Sequence, residues 1–166
     1  MRVSAILAGL ALAVVMALAL AGLRRLPIFG GRQAAPGTGV APPQVVLTVT
    51  TEGDKRVGSD LVLLFSVSNA GQTPVKRLHL RADGPWSAFD VRLVDVDGSF
   101  ETEGGMGWFL LGQSIQPGAG REPIVKIGPR VAGTYHFEFR AFDGDLALFD
   151  PSGRPATAVL DVVIGP

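Results

Sequence analysis

Gly133-Thr134-Tyr135-His136-Phe137-Glu138-Phe139-Arg140-Ala141 is the stretch that decides the fold. Tyr135, Phe137, Phe139 and Ala141 occupy every second position, with His136, Glu138 and Arg140 between them. Successive side chains of a β-strand point to opposite faces, so this order makes one apolar face and one polar face. A helix would need its apolar positions three and four apart. The segment therefore predicts a strand that covers a core on one side and meets water on the other.

Working outward, the same alternation recurs. Val45-Val46-Leu47-Thr48-Val49-Thr50 is rich in β-branched residues and reads as a strand. Leu61, Leu63, Phe65 and Val67 alternate with Val62, Leu64, Ser66 and Ser68, so the first half of that strand is apolar on both sides. Leu78, Leu80 and Ala82 oppose Arg77, His79 and Arg81, while Phe89, Val91 and Leu93 alternate with Asp90 and Arg92. Ala158, Leu160, Val162 and Ile164 form a last strand. Between these runs lie Asn69-Ala70-Gly71, Asp83-Gly84-Pro85, Gly104-Gly105, Pro117-Gly118, Pro129, Asp143-Gly144-Asp145 and Pro151-Ser152-Gly153, all turn-forming. Asp97-Gly98 reads as the tight turn of a hairpin. The 22 glycines and 12 prolines of the 166 residues thus mark turns in an all-β domain over residues 45–166.

The chain begins differently. From Val3 to Leu23 there is no charged residue, and the 21 residues would span about 31 Å as a helix, enough for a bilayer core. Arg2 precedes this run, and Arg24 and Arg25 close it. Residues 1–25 read as an uncleaved signal-anchor, with the membrane as the partner of residues 3–23. The alternative is a signal peptide cleaved near Ala21, since Ala19-Leu20-Ala21 before Gly22 is a small-x-small pattern, and a secreted product. Residues 26–44 read as a Pro/Gly-rich linker. Arg24, Arg25 and Arg32 alone would favour a cytoplasmic domain. The architecture downstream favours an extracytoplasmic one.

Composition removes several classes of chemistry. The chain has no cysteine, which excludes disulfides, thiolate nucleophiles and zinc–thiolate sites. Its net charge of zero hides a division: residues 45–166 carry 11 basic and 15 acidic side chains, a net charge of −4. That argues against a nucleic-acid partner. No G-x-S-x-G elbow or phosphate loop occurs, so neither an enzyme nor a cofactor is expected.

Phe65-Ser66-Val67-Ser68-Asn69-Ala70-Gly71-Gln72-Thr73-Pro74 resembles the F-x-V-x-N-x-G-x-x-P strand and turn of bacterial immunoglobulin-like modules, among them the cell-adhesion-related domain found in bacteria. Ile115-Gln116-Pro117-Gly118 is similar to their L-x-P-G loop, and Gly133-Thr134-Tyr135-His136-Phe137 to their G-x-Y-x-F step. The resemblance covers most of residues 45–166. It implies an immunoglobulin-like antiparallel sandwich of about seven strands, preceded here by one N-terminal hydrophobic helix, and a tyrosine corner at Tyr135. It departs from the pattern between Asp97 and Gly112, and only one copy is present.

Two sets of residues are candidates for function. Trp86, Met106, Trp108 and Phe109 form an apolar, glycine-flanked group that could bind a protein or envelope partner. The other reading of that stretch is a core strand entered through a glycine turn, with Trp108 and Leu110 inward. His79 and His136, with Glu138, could form a metal site if register brings the two strands' histidines together. Asp143, Asp145 and Asp150 could hold calcium or simply form turns, and Asp95 to Glu101 lacks the spacing of a calcium loop. The reading is a non-catalytic extracytoplasmic binding or accessory module, with a metal-binding protein as the alternative.

Overall fold

The computed structural model describes residues 41–94 and 98–166. The expectations for residues 1–25 and for most of the linker fall outside the described residues. Among the described residues eleven strands occur, in chain order β1 (Val45–Gly53), β2 (Leu61–Asn69), β3 (Val75–Asp83), β4 (Phe89–Val94), β5 (Ser99–Glu103), β6 (Met106–Ile115), β7 (Gly120–Arg121), β8 (Ile124–Pro129), β9 (Gly133–Asp143), β10 (Leu146–Ala147) and β11 (Thr157–Ile164). A single 3-10 turn, Trp86–Ala88, precedes β4.

The strands form two sheets. The first has the order β1-β2-β8-β4, with β7 also against β2. The second has the order β10-β9-β3-β6-β5, with β11 also against β9. Every ladder between strands is antiparallel. The expected all-β antiparallel sandwich is present, with more strands than the seven read from the sequence.

The core lies between the sheets and follows the alternation. Tyr135, Phe137, Phe139 and Ala141 of β9 are buried, as are Leu78, Leu80 and Ala82 of β3 and Leu61, Leu63, Phe65 and Val67 of β2. Aromatic rings meet at its centre: Phe65 lies edge-on to Phe139 at 4.9 Å, and Trp86 contacts Phe137 at 4.9 Å and Phe109 at 5.4 Å. Such rings bury large areas and prefer these tilted arrangements.

Two polar devices fix the ends of the sandwich. The Tyr135 hydroxyl donates to the Val131 carbonyl at 2.6 Å, which is the tyrosine corner implied by the resemblance. Asn69, 1% exposed, donates from Nδ2 to the carbonyls of Thr73 (2.8 Å) and Ile115 (3.1 Å), and its Oδ1 accepts from the Gly71 N–H at 3.0 Å. One side chain therefore ties the end of β2 to the end of β6 and closes its own turn.

Three expectations need correction. β4 and β5, which a hairpin at Asp97-Gly98 would pair, belong to different sheets, and Asp97 itself lies outside the described residues. β8 escaped the sequence reading because prolines 123 and 129 bracket only five residues, yet Val125 and Ile127 point inward and Pro129 pairs with Phe89 at the strand end. β6 has the opposite register to the core-strand reading: Gly107, Phe109 and Leu111 are buried, while Trp108 and Leu110 face outward and are half-buried. Gly107 fixes this choice. A Cβ there would come within 2.8 Å of Trp86 Nε1 and of Phe100 Cε2, so only glycine fits against the indole.

Candidate functional site

The outer face of the second sheet gathers most of the unusual chemistry. Strand pairing sets it in rows. Glu101 of β5 lies opposite Trp108 of β6, Trp108 opposite Arg81 of β3, and Arg81 opposite Arg140 of β9. In the adjacent row Met106 faces Asp83, and Asp83 faces Glu138. The β5–β6 hairpin that presents Met106 and Trp108 turns through Gly104 (φ 59°) and Gly105 (φ 87°), a left-handed pair suited to a two-residue turn.

Two like charges directly opposite, Arg81 and Arg140, would repel. The neighbouring row relieves this. Arg81 Nη2 lies 3.3 Å from Asp83 Oδ2, Arg140 Nε 2.8 Å from Glu138 Oε1, and Arg140 Nη2 4.0 Å from Asp83 Oδ2. Beside this charge lattice sits an aromatic pair, Trp108 and Phe142, with centroids 5.4 Å apart at 57°. The Arg81 guanidinium carbon lies 5.9 Å from the centre of the Phe142 ring, within cation–π range. Arg81 Nε is shielded from water and has no hydrogen-bond partner.

The four residues expected to form one binding group are divided by the sheet. Trp86 is 4% exposed and donates its indole N–H to the Ala82 carbonyl at 2.7 Å, and Phe109 is fully buried. Both belong to the core. Met106 and Trp108 lie on the outer face. Phe142 was missed, though it continues the polar-face series His136, Glu138, Arg140 by two residues and is the apolar member there.

The histidines are not brought together. β3 and β9 are neighbours, as the metal reading required, but His79 lies opposite Phe142. His136 lies six residues further along β9, about 20 Å at the rise of a strand. It pairs instead with β11, its Nδ1 lying 2.7 Å from Asp161 Oδ1, and Glu138 is engaged by Arg140. Register separates them. Among the described residues no group of three or more His, Cys, Asp or Glu side chains is placed to hold a metal ion.

The loop aspartates form turns. Asp143 Oδ1 accepts from the N–H groups of Lys76 (3.0 Å) and Arg77 (2.7 Å). Asp150 Oδ1 accepts from the Ser152 hydroxyl (2.6 Å), the Ser152 N–H (2.8 Å) and the Arg154 N–H (3.0 Å). The Ser152 hydroxyl, followed by the Arg154 N–H, holds the Asp150 carboxyl below its ordinary range.

No protein-family model matches the chain, and no curated protein does. Solved structures do. The CARDB domain of the PF1109 protein from Pyrococcus furiosus, determined in complex with di-metal ions, aligns with 78% of this chain and 94% of its own at 13% identity and a TM-score of 0.51. A cohesin module from a Clostridium perfringens family 33 glycoside hydrolase aligns with 75% of this chain and 98% of its own at 16% identity and a TM-score of 0.50. At such identities it is the fold that is shared. The described residues form a two-sheet β-sandwich with the fold seen in that CARDB domain and that cohesin module.

Proposed function

We propose that the chain is a non-catalytic binding module that engages a protein partner through the outer face of its second sheet. The observation that carries this reading is the outward-facing Trp108–Phe142 pair, backed by Arg81 and bordered by the Asp83–Arg140–Glu138 lattice. Aromatic and arginine side chains on a rigid, flat surface are the residue types that dominate protein–protein binding. The fold shared with CARDB and cohesin modules supports a binding role over a catalytic one. The net charge of −4 over residues 45–166 supports a protein partner over a nucleic acid.

The apolar run from residue 3 to 23 supports a module held at a membrane with its sandwich outside the cytoplasm, or a secreted one after cleavage near Ala21. Deleting residues 3–23 should release the protein from the membrane fraction. For binding, the immobilised chain and a Trp108→Ala/Phe142→Ala variant are each incubated with an envelope extract. The expected result is a retained protein that the variant loses while still folding with a cooperative unfolding transition. Retention of the same proteins by both would refute the assignment of this face.

A further inference from the structure

The sandwich has two corners where its sheets end. At one, edge strand β1 and the segment just after it are hydrogen-bonded to the segments before and after edge strand β11. The Val45 N–H donates to the Phe149 carbonyl at 2.9 Å, and the Gly165 N–H to the Lys55 carbonyl at 2.8 Å. At the other corner, among the described residues, β4 pairs only with β8 and β5 only with β6. A depression of about 540 Å³ lies between β4 and β5, lined by Trp86, Phe89, Phe100 and Thr102 together with the ion-paired Asp90 and Arg130. The half-buried Phe100, in contact with the buried Trp86, thus lies at the surface between two strands whose backbones have a free edge.

The side chains of β5 alternate about this depression. Phe100 and Thr102 line it. Ser99, Glu101 and Glu103 point to the other face and are exposed. Neither glutamate has a salt-bridge partner among the described residues, and the Ser99 hydroxyl donates weakly to Glu101 at 3.3 Å.

We propose that the free edge of β5 receives an extended segment of a partner protein, about five residues long, in which basic and apolar side chains alternate. Added beside β5, such a segment satisfies the exposed backbone groups of the edge. A strand alternates with period two, so its basic residues fall beside Glu101 and Glu103 while its apolar residues cover the half-buried Phe100. The same glutamates disfavour a second copy of β5, whose like charges would lie opposite. The site goes beyond the Trp108 face, since it is the backbone edge of β5, and Glu101 borders both.

The test uses the full-length chain and three blocked peptides: Lys-Val-Lys-Leu-Lys-Val-Lys, its counterpart with glutamate for lysine, and the first peptide's residues rearranged with the lysines gathered at one end. Binding and amide hydrogen exchange are measured together. The expected result is binding of the alternating basic peptide with slowed exchange at residues 99–103. A Glu101→Lys/Glu103→Lys variant, altered only at exposed positions, should weaken that peptide about tenfold and prefer the acidic one. Equal binding of the rearranged peptide, unchanged exchange in β5, or no binding would overturn the proposal.

Discussion

Trp108 and Phe109 are adjacent in sequence and occupy the two faces of the same strand. Phe109 is fully buried against Phe65, Trp86 and Phe100. Trp108 is half-buried on the far side, with Phe142 and Arg81 of β3 for neighbours. The inner aromatic has no contact with water that a partner could use. The outer one stabilises little that its neighbours could not, and it presents a rigid apolar surface. A period-two strand thus divides stability from binding at every second residue.

The largest effects should come from the inner face. Phe139→Ala removes a fully buried ring that touches Phe65, Trp86, Phe109 and Phe137, and should lower the free energy of unfolding by about 3–5 kcal/mol in urea titration. Asn69→Ala should cost about 2 kcal/mol, because the Gly71 N–H and the Ile115 carbonyl lose a buried partner together. The outer face should give far less. Trp108→Ala should cost about 1 kcal/mol, the value of one aromatic pair, and a larger loss would erase the distinction between the faces.

The smallest effect should come from the Asp150 loop, which belongs to neither face. Its carboxyl is held below the ordinary 3.8 by the Ser152 hydroxyl and backbone N–H groups, so the folded state prefers it charged. That contribution is present above the unfolded-state value and is lost as pH falls through the lower folded-state value. Asp150→Asn should therefore show a slightly shallower decline of stability than the parent between pH 4 and lower values. Its stability at pH 7 should be slightly reduced.

Much of this division was legible in the sequence, and where it was not the reasons are local. The alternation in Tyr135–Ala141 and Leu78–Ala82 placed the buried residues of β9 and β3 correctly, because those strands are long and their two faces differ strongly in polarity. In β6 both faces are apolar, so composition could not choose a register. The choice rests on Gly107, whose missing side chain admits the Trp86 indole from a distant loop. The separation of His79 and His136 was hidden for a similar reason: strand adjacency follows from topology, but the offset between β3 and β9 depends on the turns and on pairing with β6 and β11. Phe142 lay one residue beyond the strand end read from the sequence.

The most direct test sets the two neighbours against each other. Urea unfolding of Phe109→Ala and Trp108→Ala should give losses of about 3–5 kcal/mol and about 1 kcal/mol respectively. Equal losses, or the larger loss at Trp108, would contradict the assignment of the outer face to binding.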